Sequence, residues 1–334
     1  MNEMLKSRAI KSEPIYSLEV CILQEADSLS DAELSNISAL VEKRKEDFQC
    51  MLTSYSDKRL SGFLSDVAEL SAKKLPFAEN LPSALWVFYY DRYVYIFSHE
   101  DQIYCILPDE LREIYENMGL ENSLSGKALR TKEICGYASA LLCLYGAYEI
   151  KHFVKVWNQY HTEKIEMAEA ERFFQTFEEY RDDYFLDVGY SVSETLSSRQ
   201  VAELKDTVKK LKLDYYMPAE SDIAAFIENE PKALFANASC LSEMSDFLAG
   251  LSISQESIDE LLSIMSEPVS PAYPASLREA LARAAFPTDN GQACESFETL
   301  YTNLNSNKRV WQYRGYTPSQ ISEMRGVAIQ AYKI

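Results

Sequence analysis

Apolar residues recur at helical spacing over most of this chain. Ser30-Asp31-Ala32-Glu33 has the form of a capping box, with Ser at the N-cap and Glu three residues on. Behind it Leu34, Ile37, Leu40, Val41, Phe48, Met51 and Leu52 fall at helical intervals. A second helix fits 57–74, with Leu60, Leu64, Val67 and Leu70 on one face. The aromatic stretch 81–93 fits helix and strand equally. Tyr93–Phe97 and Gln102–Leu107 are β-branched and aromatic runs around polar Ser98–Asp101, which predicts a hairpin. Pro108 then opens a helix over 109–118, at a position where its missing N–H costs nothing.

The same order recurs downstream. Helices fit 132–145, 149–161 and 166–180, with Gly146 between the first two. Two short runs, 184–187 and 190–193, flank a turn containing Gly189, and a helix over 198–211 follows. Three helices, a hairpin and a helix, twice, is the layout of a winged-helix unit. Beyond Tyr215-Tyr216-Met217-Pro218 the pattern is helical throughout, at 220–228, 241–251, 255–265, 276–285 and 294–303. It is broken by a loop at 267–274, where three prolines stand close together. The expected fold is mainly α: an N-terminal extension over 1–29, winged-helix-like units over 30–125 and 130–212, and a helical C-terminal domain over 213–334.

Two stretches carry a resemblance. Leu144-Tyr145-Gly146 before a helix and a short hairpin, followed by Tyr215-Tyr216-Met217-Pro218, resembles uncharacterised helical proteins of Gram-positive bacteria and their mobile elements. Such proteins commonly end in an Asn-x-Arg-x-Trp-x-x-x-Gly-x-Thr-Pro motif, which here reads Asn307 to Pro318. The likeness covers about 130–325. Many members also carry a SecA-type zinc tail, and this chain has no cysteine after Cys294 to supply one. The resemblance brings no activity with it. An Asn and Arg ahead of Gly-x-Thr-Pro also resemble the end of transposase cores, but no run of strands here could carry their metal-binding carboxylates. The local chemistry gives a simpler account: Trp311 and Tyr313 anchor a turn, Thr317 caps the final helix, and Pro318 takes its first position.

Charge changes the picture more than composition does. The chain has 334 residues, 33 basic and 52 acidic, for a formal net charge of −19. That opposes general binding to phosphate backbones and to anionic membranes. The apolar stretches 84–97 and 137–148 are shorter than the ~20 residues that span a bilayer. Residues 1–13 carry scattered charges and no apolar core, so no secretory signal is read there. A cytoplasmic protein is expected. The seven cysteines show no Cys-x-x-Cys spacing, and most read as buried free thiols.

No catalytic, cofactor or metal motif stands out. His152 and His161 are nine apart and lie on different helix faces, whereas a metal pair prefers four. His99 falls in the first hairpin turn. Cys143 sits in an apolar run, where burial raises a thiol's pKa and leaves it inert. The third helix of the second unit, which would read DNA, holds Glu166, Glu169, Glu171, Glu178 and Glu179 against Arg172 alone. Its wing adds Asp182, Asp183 and Asp187. That face repels phosphates. Yet residues 131–212 carry 11 basic and 14 acidic groups, a net of only −3, because Lys205, Lys209 and Lys212 share one side of the following helix. Lys43-Arg44-Lys45 is a second basic cluster.

The chain therefore reads as a non-enzymatic interaction or regulatory protein with a protein partner. Its contact candidates are the acidic Glu178, Glu179, Asp182 and Asp183, the lysines just named, and Arg309 and Trp311 of the C-terminal motif. Tyr93 and Tyr95 share a hairpin face with Phe97. That face either joins the core or, exposed, forms a contact surface. The alternatives are a nucleic-acid-binding regulator that uses the basic strip, and an acidic decoy that imitates nucleic acid.

Overall fold

The computed structural model describes residues 17–23, 29–54, 88–99, 102–117, 124–178, 181, 183–228, 238–266 and 275–326. The architecture is mainly helical. The chain divides into two compact units, Met1–Cys135 with Glu179–Arg181, and Gly136–Glu178 with Asp182–Ile334. The domain boundary expected between 212 and 213 falls inside the second unit. The helix expected at 57–74 and the loop at 267–274 lie outside the described residues, as does most of 81–93.

In the first unit α1 (Leu18–Leu23) packs on α3 (Ile37–Ser54) and on α4 (Asp109–Glu116). The capping box forms as its residues require: the Ser30 side chain accepts from Glu33 N, and the Glu33 carboxylate accepts from Ser30 N. The helix it starts is one turn long, α2 (Asp31–Leu34). Asn36 then caps a fresh start, its Oδ1 accepting from Ala39 N. The hairpin pairs β1 (Tyr95–His99) with β2 (Gln102–Ile106), in register from Tyr95↔Ile106 to His99↔Gln102. Ser98 and His99 are thus strand residues and not turn residues. A ladder is made by the backbone, so polar side chains do not end it.

The second unit opens with α5 (Gly126–Tyr145), which begins in the first. Then come β3 (Ala147–Glu149), α6 (Ile150–Tyr160), α7 (Met167–Phe177), β4 (Tyr184–Asp187), β5 (Tyr190–Ser193) and α8 (Ser198–Leu211). The three strands form one antiparallel sheet in the order β3-β5-β4. Alternation puts Tyr148, Tyr184 and Ser191 on one face. There the Tyr148 hydroxyl donates to Ala138 O of α5, and the Tyr184 hydroxyl to Phe174 O of α7. The other face, with Ala147 and Val192, packs on Leu196, on Val201 and Leu204 of α8, and on Trp311.

Both free edges of this sheet are blunted by side chains. On β3 the amide of Glu149 donates to the Tyr215 hydroxyl (3.2 Å), and on β4 the amide of Leu186 donates to Glu178 Oε1 (2.6 Å). The β4–β5 turn is Val188-Gly189, both with positive φ, as a two-residue hairpin of this hand requires.

The helices α9 (Glu220–Glu228), α10 (Ala238–Gly250), α11 (Gln255–Ser266), α12 (Ala275–Arg283) and α13 (Gly291–Asn307) follow. Met244, Leu248, Leu261, Phe297 and Tyr301 are central to the core shared by α10 to α13. A 3-10 turn at Trp311–Tyr313 leads to α14 (Pro318–Arg325). Its N-cap Thr317 and first residue Pro318 stand as the sequence requires, with Gln320 closing the capping box. Lys308 is buried, and its ammonium donates to Met265 O at the end of α11, where a helix favours a cation.

Candidate functional site

The sequence stretches singled out by resemblance meet in space. Gly146 ends α5 with φ 67°, a conformation glycine adopts without steric cost, and its amide donates to Leu142 O. The ring of Trp311 lies directly against Gly146, and its indole N–H donates to Cys143 O at 2.6 Å. Gly315, with φ 82°, lies so close to the Tyr145 ring that a Cβ there would stand 2.7 Å from it. The Tyr145 hydroxyl donates to Tyr216 O (2.6 Å), and Tyr216 N donates to Arg314 O (3.0 Å). Arg309 sits over the Tyr216 ring at 3.7 Å and Arg314 over the Tyr215 ring at 4.2 Å. Their Nη1 atoms donate to Gly315 O and Leu213 O. The Tyr160 hydroxyl holds Pro218 O at 2.6 Å. One aromatic and cationic junction therefore ties α5, α6, the 215–218 segment and the C-terminal motif together.

His152 is buried at its centre. It stacks on Tyr215 with ring centroids 4.2 Å apart, and its Nε2 is 3.1 Å from the Tyr145 hydroxyl. That hydroxyl already donates to Tyr216 O, so Nε2 carries the proton and donates. Burial first, and then Lys155 and Arg314 nearby, push the His152 pKa down to about 3. Burial also raises the Tyr145 and Tyr215 hydroxyls, and lifts the Cys143 thiol to about 11. The histidine is neutral, the phenols and the thiol are protonated, and their hydrogen bonds and ring contacts join α5, α6 and the 215–218 segment.

The sign of the His152 effect is definite. Below pH 6.5 the unfolded chain binds a proton that the folded chain refuses until about pH 3. Stability therefore falls with pH through that window, by about 1.4 kcal/mol per pH unit from this group. Urea midpoints at pH 7 and pH 5 should show this fall, and His152→Gln should flatten it. An unchanged pH slope in the variant would contradict it.

The residues picked out from the sequence have varied placements. Tyr93 and Tyr95 are buried among Phe48, Met51 and Leu111. This corrects the exposed-tyrosine alternative: the hydrophobic area of these rings is needed by the first unit's core. Glu178 holds Leu186 N, and Asp183 Oδ2 accepts from the Ser139 hydroxyl at 2.9 Å, so both acids brace the hairpin. Glu179 and Asp182 lie outside the described residues. Lys205 is half-buried, its ammonium 2.6 Å from Asp187 Oδ2 and 4.1 Å from the Tyr190 ring centre. Lys209 and Lys212 are exposed. Arg309 and Trp311 turn inward to the junction, so they brace the fold and do not project toward a partner. His161 stacks on Trp157 at 3.7 Å. Among the described residues no group of three His, Cys, Asp or Glu side chains could hold a metal ion, and no helix is long and apolar enough to cross a membrane.

Two features were missed from the sequence, the surroundings of Glu149 and the exposure of Val188; the acids of α7 were read there, but not how little of that helix is buried. Glu149 lies between Tyr190, Lys151 and Arg314. Of the eleven residues of α7, only Ala170 and Phe174 are buried, and Glu169, Glu171 and the exposed Met167 face outward. Val188, at the tip of the β4–β5 hairpin, is 93% exposed with φ 45°. A β-branched residue is a poor choice for that conformation. A Val-Gly pair where a turn needs Asn-Gly was the available signal. The chain matches no protein-family model, and no curated protein or solved structure matches it either.

Proposed function

We propose that this chain is a non-enzymatic interaction protein that recognises a protein partner through the outer face of α7 and the tip of the β4–β5 hairpin. The observation that carries the reading is Val188. It is an apolar, β-branched side chain held almost fully in solvent, at a backbone angle that Asn or Gly would take with less strain. It packs on nothing that would reward the choice, so the reward lies outside the chain. In the same unit, nine of the eleven positions of α7 are not buried.

The winged-helix-like reading of the second unit belongs to the same proposal. Helix, strand, two helices and a hairpin, with the first strand joined to the hairpin in the order β3-β5-β4, support it. In that layout α7 is the helix that would enter a DNA groove, and its carboxylates favour a protein instead. The likeness to the helical proteins of Gram-positive bacteria and their mobile elements is retained as part of the proposal, and so is a cytoplasmic location.

Affinity purification from the native host tests the reading. The wild-type chain should retain a defined partner. Val188→Asn, which keeps the turn, and Glu169→Lys/Glu171→Lys should each lose it while melting as cooperatively as the wild type. Equal recovery by all three chains, or no recovery together with turnover in a substrate screen, would refute it.

A further inference from the structure

The lysines of α8 are not spread evenly round the helix. At about 100° per residue, Lys205, Lys209 and Lys212 share one flank. Glu203 and Asp206 lie away from it and pair with Arg199 and Lys210. Lys209 and Lys212 make no ion pair among the described residues.

This flank continues onto the sheet. Lys205 lies over the ring of Tyr190, and the Tyr190 hydroxyl is hydrogen-bonded to the Glu149 carboxylate. The same carboxylate pairs with Lys151 and lies 3.9 Å from Arg314 Nη2. One turn further along the exposed side of α6 stands Lys155. Lys155, Lys151, Lys205, Lys209 and Lys212 thus form a ridge with Tyr190 at its middle, in which Glu149 pairs with Lys151 and Asp187 with Lys205.

The sheet keeps this ridge apart from the acidic helix. Glu149, Asp187 and Tyr190 belong to the face that packs on α8, whereas α7 packs against the opposite face through Phe174 and Tyr184. The carboxylates of α7 thus lie across the sheet from the ridge, and salt weakens their reach to it.

We propose that this ridge is a docking surface for the phosphodiester backbone of a nucleic acid. Lysines at turn spacing along a line match a repeating charge one by one, without reading its sequence. The surface lies across the sheet from α7 and borders the hairpin tip at Asp187 and Tyr190, so the chain would bridge a protein held on α7 and a nucleic acid.

The test is fluorescence anisotropy with labelled 20-nucleotide single-stranded DNA, the same sequence as RNA, and the DNA duplex, which separates the sources of the backbone. Five contacts predict a roughly 100- to 500-fold loss of affinity between 50 and 200 mM salt. Lys151→Glu/Lys155→Glu and Lys209→Glu/Lys212→Glu should each weaken binding more than tenfold. Each should also lower the salt slope by about 1.4–1.8. Lys210→Glu, on the other side of α8, should bind as the wild type does. Thermal melts followed by circular dichroism confirm that each variant is folded. The proposal is overturned by no binding at 50 mM salt to any of the three probes, or by an equal loss in Lys210→Glu. Equally effective competition by a polyglutamate peptide of the same charge would overturn it too, by assigning the ridge to an acidic protein.

Discussion

Trp311→Ala is expected to destabilise the second unit by about 3–5 kcal/mol, as large-to-small changes of buried aromatics do. Trp311 is 7% exposed and completes a core whose other members, Ala147, Val192, Leu196, Val201 and Leu204, all lie more than 100 residues upstream. The loss has two parts. The ring leaves a cavity against Gly146 and the sheet. The indole N–H also leaves Cys143 O, one of the last four carbonyls of α5, which have no donor within the helix. Trp311→Phe separates the parts by keeping much of the volume without the donor. It should cost about 1–3 kcal/mol from the orphaned carbonyl, plus the smaller loss of ring. Urea unfolding followed by circular dichroism measures both, with a lowered midpoint and an unchanged slope. A shift below 1 kcal/mol for the alanine variant would mean that the motif decorates the surface and does not close the unit.

Gly146→Ala is expected to cost about 3 kcal/mol or more, from two sources that can be separated. The left-handed conformation charges any L-residue about 1–2 kcal/mol. The new methyl would also stand well inside contact distance of the Trp311 ring, which Cys143 O holds in place. Gly189→Ala supplies the control: its φ is also positive, at 78°, but nothing lies within 4 Å of a Cβ there. It should show only the conformational cost. In the double variant Gly146→Ala/Trp311→Ala the collision disappears with the ring. The combined loss should fall short of the two single losses by about 1–3 kcal/mol. Strict additivity would sink the account.

What could be read in the sequence was what local chemistry decides. The caps at Ser30 and Thr317 need only neighbours three residues away, and both form. The runs 184–187 and 190–193 and the helix 198–211 stand where alternation and periodicity put them. β3 was illegible because Ala-Tyr-Glu has no strand signature of its own. It is a strand only because β5, over forty residues on, offers it a ladder. The motif residues were visible one stretch at a time. Their convergence depends on two glycines letting rings approach the backbone, a tertiary event with no local trace. The same holds for the lysines: the α8 flank follows from spacing, but its extension to Lys151 and Lys155 runs through Tyr190 and Glu149. The fate of Tyr93 and Tyr95 was a question of burial, and alternation cannot say which face of a hairpin the core will claim.

The side chains that cap the two edges of the β3-β5-β4 sheet constrain what this unit can become. A hydroxyl from Tyr215 and a carboxylate from Glu178 occupy amides that an incoming strand would need as its first handholds. A Glu178→Ala chain would bare one of them and invite zippering of copies at high concentration. The native chain can be crowded without seeding fibres through this sheet, and any visitor must be recognised by side chains rather than stitched on by backbone.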